Sequence, residues 1–124
     1  MEGQDNTNTP SCSFTETATH FIVSIGETTT TTECEQMVET MAAISMDKPR
    51  LWSLPDLMPW SEEEIIRLGE HGKNIGLRAK TAIVAKSDLS YAMARQHMVY
   101  RVDNPDLVNL FRNEKDATQW IGLD

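Results

Sequence analysis

Residues 78–95 read RAKTAIVAKSDLSYAMAR and contain the clearest strand–helix unit of the chain. Ala79–Ala85 forms a short apolar run that is typical of a buried strand. Ser87 then stands where a helix N-cap is expected, and Leu89 and Met93 follow at helical spacing. A strand followed directly by a helix is the repeating unit of a parallel sheet.

The same strand–helix pattern occurs three more times in the chain. Compact apolar runs predict strands near residues 21–26, 50–54 and 107–111, beside the one near residues 80–85. Four such units predict an α/β fold with a mostly parallel sheet and right-handed crossovers. Residues 11–17 alternate weakly, which predicts an extra edge strand at the N-terminal end.

Capping boxes mark two of the helix starts, because a Ser or Thr is followed three residues later by a Glu. The pairs are Thr30 with Glu33 or Thr32 with Glu35 for the first helix, and Ser61 with Glu64 for the second. Trp60 and Ile65 flank the second pair and are placed to form a hydrophobic staple. Asn113 is the predicted cap of the last helix, and glycines at 76 and 122 predict helix ends.

Length and composition indicate one globular domain. The chain has 124 residues, of which 40% are hydrophobic and 24% charged. We expect residues 1–10, which are polar, to be a disordered leader, and residues 11–124 to form a single domain. The formal charge of −8 argues against nucleic acid as a partner, because phosphate binding needs clustered Lys and Arg.

The chain contains no targeting or membrane signal in its sequence pattern. No apolar run approaches the roughly 20 residues needed to span a bilayer. The first ten residues contain neither a basic segment nor an apolar core, so no export signal is predicted. We therefore expect a cytoplasmic protein with no transmembrane segment.

The sequence from about His20 to Leu123 resembles the SpoIIAA-like family, whose members are bacterial relatives of the STAS domains. The resemblance rests on residues 78–95 and on LFRNEKDATQW at residues 110–120. It implies a SpoIIAA-like fold and a regulatory or binding role without an assigned activity. In STAS antagonists, a serine at a helix start is phosphorylated, and only Ser61 is comparably placed. Around it, however, this chain has Pro59-Trp60-Ser61-Glu62 instead of an Asp-Ser-Ser-Gly-like turn.

The N-cap interpretation of Ser61 is favoured over phosphorylation. The capping box already accounts for this serine. A phosphate would also add nearly two negative charges beside Glu62, Glu63 and Glu64.

Polar residues follow the third strand, where ligands bind in open α/β sheets. Tyr91 and Arg95 are four residues apart and would share one helix face. The apolar loop at residues 54–60 follows the second strand and predicts either a binding lip or a loop folded over the core. The candidate binding residues are Asp56, Trp60, Lys86, Asp88, Ser90, Tyr91 and Arg95.

No metal or cofactor site is predicted. His20, His71 and His97 have no partners at metal-ligand spacing. Cys12 and Cys34 fit no metal or redox motif and are expected to be reduced thiols.

The leading hypothesis is a non-enzymatic binding or regulatory module of SpoIIAA-like form, acting through a cleft at the strand C-termini or through a sheet face. One alternative is a small-molecule or lipid-binding protein. Another is a small enzyme with an acid–base pair drawn from Asp56, Asp88 and Tyr91. We also expect a homodimer or an apolar ligand. Crossover helices confined to one sheet face would leave an apolar face bare on the other side.

Overall fold

The computed structural model describes residues 12–76, 78–96 and 105–122. The predicted leader at residues 1–10 lies outside these ranges, as does Val99, which the sequence pattern assigns to the third helix. Within them, the strands are β1 (Cys12–Glu16), β2 (Phe21–Ile25), β3 (Arg50–Ser53), β4 (Thr81–Val84) and β5 (Val108–Phe111). The helices are α1 (Thr31–Ile44), α2 (Glu62–Ile75), α3 (Asp88–Ala94) and α4 (Glu114–Ile121). None of these helices is long and apolar enough to cross a membrane.

The five strands form one sheet in the order β1-β2-β3-β4-β5. Each of the pairs from β2 to β5 is parallel, whereas β1 runs antiparallel to β2. The predicted α/β fold with a mostly parallel sheet is therefore confirmed, together with the extra N-terminal edge strand. The strand bounds differ slightly from the prediction, because Leu107 belongs to the 3₁₀ turn Pro105–Leu107 and not to β5.

Local hydrogen bonds explain where the helices begin. Of the two alternatives for α1, Thr30 is the N-cap. Its Oγ1 accepts from the Glu33 N–H at 3.1 Å, while Glu33 Oε1 accepts from the Thr30 N–H at 2.9 Å. Ser61 and Glu64 make the same reciprocal pair at the start of α2. Ser87 and Asn113 cap α3 and α4 as predicted.

One face of the sheet carries the larger part of the core. Side chains of β2, β3 and β4 that share this face pack against α1 and α2, with Ala94 of α3 in the same cluster. The strand residues of this face are Phe21, Val23, Ile25, Trp52 and Ile83. Met37, Met41, Ile65 and Leu68 meet them from the helices. The helices of the crossovers from β2 to β3 and from β3 to β4 thus lie on the same side.

The other face is covered by α4, which corrects the expectation of a bare apolar face. Leu51, Ala82 and Val84 form a second core cluster with Ala117 and Ile121 of α4. The prediction considered only crossover helices, whereas α4 follows the last strand and folds back. Away from α4, this face carries the half-buried Ile22 beside the exposed polar residues Ser13, Thr15 and Ser24. The second face therefore does not itself require a partner.

A buried arginine fixes the edge of the sheet where the parallel strands begin. Arg50 is 1% exposed, and its guanidinium lies 4.9 Å from the ring centroid of Phe21. It donates hydrogen bonds to the carbonyl oxygens of Ser45, at 2.6 Å, and Lys48. Because Ser45 is the C-cap of α1, the cation lies at the negative end of that helix.

Candidate functional site

The candidate site is the edge of the sheet where the parallel strands end, which we call the carboxyl edge. It comprises residues 26–30, 54–61, 85–87 and 112–113, which follow β2, β3, β4 and β5. Parallel strands bring these segments together at one edge, where ligands bind in open α/β folds. The first turns of α1 to α4 start from the same edge and are included in it.

Two serines of α3 hold the loop after β3 in place. Ser87 Oγ donates to the carbonyl oxygen of Asp56 at 2.8 Å. Ser90 Oγ donates to the same oxygen at 3.1 Å and also to the carbonyl oxygen of Pro55. Ser90 is completely buried, so its bonds are partly shielded from water, whereas the Ser87 bond is exposed. The backbone of the loop is thereby fixed, while the Asp56 residue remains exposed.

A second cluster forms around Arg112, directly after β5. Its Nη2 lies 2.8 Å from Asp88 Oδ1 and donates to the carbonyl oxygen of Lys86 at 3.0 Å. Its guanidinium carbon lies 4.9 Å from the ring centroid of Tyr91. The Lys86 ammonium adds an ion pair with Glu114 at 3.9 Å. These contacts join β4, α3 and the start of α4 across the carboxyl edge.

The charges of this cluster face solvent. The Asp88 side chain is 97% exposed and that of Arg112 is 48% exposed. Exposed ion pairs of this kind contribute only about 0–1 kcal/mol to stability. The cluster therefore presents charges of both signs on the surface more than it stabilises the fold.

Trp60 lies inside the core. It is 3% exposed, and its Nε1 donates to the carbonyl oxygen of Thr29 at 2.9 Å. At Trp60 the loop is therefore folded over the core, whereas Leu57 of the same loop is 58% exposed. The assignment of Trp60 to a binding site stays a prediction from the sequence.

Besides the buried Trp60, five of the predicted site residues are brought together at the carboxyl edge: Asp56, Lys86, Asp88, Ser90 and Tyr91. Ser90 serves the loop and is buried, so it is a positioning residue. Arg95 is the exposed C-cap residue of α3. The cation that lies over the Tyr91 ring belongs to Arg112, which the sequence analysis did not single out. The sequence feature that could have identified Arg112 is its position as the first residue after the last predicted strand.

Two leucines are exposed at the carboxyl edge. Leu57 is 58% exposed and Leu89 is 51% exposed. Leu89 belongs to the apolar spacing that predicted α3, but the buried residues of this helix are Ser90 and Ala94. Among the described residues, Ile44 is the other large apolar side chain exposed to this degree, at 49%, and it ends α1.

Metal and thiol chemistry is not assembled at this edge. Across residues 12–76, 78–96 and 105–122, no group of three or more His, Cys, Asp or Glu side chains is placed to hold a metal ion. The two cysteines are free thiols of the core that α1 covers. Burial raises the pKa of the Cys34 thiol, and it also raises that of Cys12.

Three features distinguish the carboxyl edge. Its parts are a loop fixed by serine hydroxyls, two exposed leucines and a cluster of opposite charges around Arg112. No protein-family model matches the chain, and neither a curated protein nor a solved structure matches it.

Proposed function

We propose that the protein is a non-enzymatic binding or regulatory module of SpoIIAA-like, STAS-related form that contacts a partner protein through the carboxyl edge. The observation that carries this proposal is the placement of Leu57 and Leu89. Leu57 follows Asp56, whose carbonyl oxygen accepts from Ser87 and Ser90, and Leu89 lies between those two serines. The two exposed leucines thus flank one hydrogen-bonded junction.

This junction prepares the leucines for binding. Ordering a flexible loop on association costs free energy, and a loop already fixed in the free protein avoids much of that cost. The serine bonds to Asp56 and Pro55 hold the backbone next to Leu57. An apolar contact made through Leu57 therefore costs little conformational entropy.

The charged cluster around Arg112 supplies the surroundings expected of a binding surface. Protein interfaces combine an apolar centre with a polar rim. Asp88 adjoins Leu89 in sequence and pairs with Arg112, while Lys86 pairs with Glu114. We propose a partner that presents a small apolar patch flanked by charges of both signs.

The finer features of the module rest on the resemblance and on general rules. The sequential strand order, with α1 and α2 on one face, gives their two crossovers the same hand, and we propose the right hand because it is nearly universal. We likewise propose a cytoplasmic homodimer. Because α4 covers the second face of the sheet, the two copies would meet through another surface.

The non-enzymatic role is preferred because of the surroundings of Asp88. General acids and bases in enzymes are commonly tuned by burial in a cleft. Asp88 is instead 97% exposed and bonded to Arg112 at 2.8 Å. The alternatives of a small enzyme and of a small-molecule or lipid-binding protein stay predictions from the sequence.

The test compares the wild type with a Leu57→Glu/Leu89→Glu double variant. Both are used as tagged baits in cells of the source organism, and bound proteins are quantified by mass spectrometry. We expect a defined partner to be lost from the double variant by tenfold or more, because two charges replace the apolar contact (about 1.4 kcal/mol corresponds to tenfold). Thermal unfolding checks that the variant is folded.

Ile44→Glu is the matched control, because Ile44 has similar exposure but lies at the end of α1. The partner should bind this variant as it binds the wild type. A partner profile that is identical for the wild type and the double variant would refute the proposed surface, as would equal loss with Ile44→Glu.

A further inference from the structure

The strand β1 forms an edge of the sheet. It pairs with β2 on one side, and in the described part of the chain no strand lies beyond it. An edge strand offers a row of backbone N–H and C=O groups to another strand.

Hydrogen bonds of β2 show which backbone groups of β1 point outward. The Phe21 N–H donates to the Pro49 carbonyl oxygen at 2.8 Å, so the backbone of Phe21 points away from β1. Backbone direction alternates along a strand, so Ile22 and Ser24 point toward β1. Their partners in the register are Thr15 and Ser13. The Thr17 N–H continues this alternation, since it donates to the His20 carbonyl oxygen at 2.9 Å.

It follows that Cys12, Phe14 and Glu16 direct their N–H and C=O groups away from β2. Phe14 is the centre of the five-residue strand. The outward groups are therefore arranged symmetrically about Phe14, with Cys12 two residues before it and Glu16 two residues after it.

We propose that two copies of this chain pair through β1, antiparallel, about a two-fold axis at Phe14. This register places Phe14 opposite Phe14 of the second copy, and Cys12 opposite Glu16. Each of these pairs exchanges two backbone hydrogen bonds. The two sheets then become one continuous sheet, with an interface that uses the same patch on both copies.

The side chains of β1 fit this register. Phe14 is half-buried and packs edge-on against Phe21, with 5.7 Å between the ring centroids. A second Phe14 beside it would cover the remaining exposed part. On the other face, Ser13 stands opposite Thr15 of the second copy, a pair that can form hydrogen bonds across strands.

The acidic side chain of β1 is paired within its own copy. Glu16 is the one ionised side chain of β1, and Lys48 neutralises it at 2.8 Å. In the two-fold register, Glu16 lies opposite Cys12, so no two carboxylates face each other.

The self-complementary register is why the occupant is a second copy. In this register the half-buried Phe14 lies against its own counterpart, and Ser13 lies opposite Thr15. This inference specifies the homodimer of the proposed function. It does not involve the carboxyl edge, so the two can fail separately.

The test uses single cysteines on the exposed face of β1, in a Cys12→Ser background. Facing residues of a non-hydrogen-bonded antiparallel pair have Cα atoms about 4.5 Å apart, which is within disulfide range. In the proposed register, position 13 of one copy faces position 15 of the other. The Ser13→Cys and Thr15→Cys proteins are therefore oxidised separately and as an equal mixture, in about 0.15 M salt to screen the net charges.

Crosslinked dimer should form in the mixture and not with either protein alone. Its yield should approach about half of the chains, the statistical share of mixed dimers for a two-fold assembly. Sedimentation velocity of the unmodified protein at micromolar concentration should show a dimer. A monomer there overturns the proposal, and so does efficient crosslinking of the Ser13→Cys protein alone, which requires another register. The partner profile of the Leu57→Glu/Leu89→Glu variant reports separately on the carboxyl edge.

Discussion

The indole Nε1 of Trp60 donates a hydrogen bond of 2.9 Å to the carbonyl oxygen of Thr29. The two residues belong to the segments after β3 and after β2, so this bond ties neighbouring parts of the carboxyl edge together. Thr29 is 2% exposed, so its carbonyl oxygen has little access to water as a substitute partner.

Trp60→Phe should lower the free energy of unfolding by about 1–3 kcal/mol, because it leaves a buried carbonyl oxygen without this donor. Trp52→Phe is the control for loss of ring size, since Trp52 is also buried, at 8% exposure, on β3. Urea denaturation of both variants separates the two effects. Equal destabilisation of the two would show that the hydrogen bond itself contributes nothing.

Ser61→Ala should cost about 1 kcal/mol, because the α2 N–H of Glu64 loses its acceptor. Ser61→Asp should retain most of the stability, since Asp is also a good N-cap. Thermal or chemical unfolding measures both. Stoichiometric phosphate on Ser61 in protein from the native host would contradict the assignment of this serine as a cap alone.

Arg50→Lys should destabilise the protein by about 1–3 kcal/mol, because a single ammonium cannot reproduce the two fixed bonds to the Ser45 and Lys48 carbonyl oxygens. The exposed Arg78, 3.5 Å from Asp47 and 70% exposed, provides the matched control. Arg78→Lys should change stability by less than about 0.5 kcal/mol. Denaturation curves that coincide for the two variants would rule out the role given to Arg50.

Cys34 should resist alkylation in the folded protein. It is fully buried, burial raises its pKa, and the thiolate is the reactive form. Iodoacetamide should modify the partly exposed Cys12 first and Cys34 only as the chain opens, which peptide mass spectrometry can follow. Rapid modification of Cys34 at neutral pH would contradict the burial.

The same raised pKa predicts how stability depends on pH. Because the thiol ionises more readily in the unfolded chain than in the fold, its contribution is present below the ordinary cysteine pKa and is lost as the pH rises above it. A Cys34→Ala variant should therefore lose less stability than the wild type between neutral and alkaline pH. Parallel slopes for the two proteins would refute this linkage.

The parts of the fold that are determined locally were predictable from the sequence. A capping box needs only a serine or threonine and a glutamate three residues apart, so Ser61 and Glu64 identify the start of α2 without tertiary information. Short apolar runs located four strands within one or two residues. The sequence offered Thr30 and Thr32 equally as the N-cap of α1. In the structure the cap is Thr30, and Thr31 is buried as the first residue of the helix.

Tertiary placement was less predictable. Helical spacing marks apolar residues, but it does not say how far a short helix extends into the core, and so Leu89 proved exposed. Nor does spacing tell on which face a final helix folds, and α4 covers the face expected to be bare.

The sequence predicted which candidate residues lie at the carboxyl edge, but not the contacts that they make there. The order of strands and loops is enough to place Asp88 and Tyr91 there. That Arg112 would bond one and lie over the ring of the other depends on the pairing of β4 with β5, which no local pattern encodes.

The position of α4 has a consequence for how the protein is made. The chain leaves the ribosome from its N-terminal end, so the strands and the helices α1 and α2 emerge before α4. Until residues 114–121 follow, Leu51, Ala82 and Val84 have no cover on their side of the sheet. The nascent domain therefore exposes these apolar side chains until α4 has been synthesised and can pack against them. Premature termination ahead of α4 would leave that surface open permanently and favour aggregation.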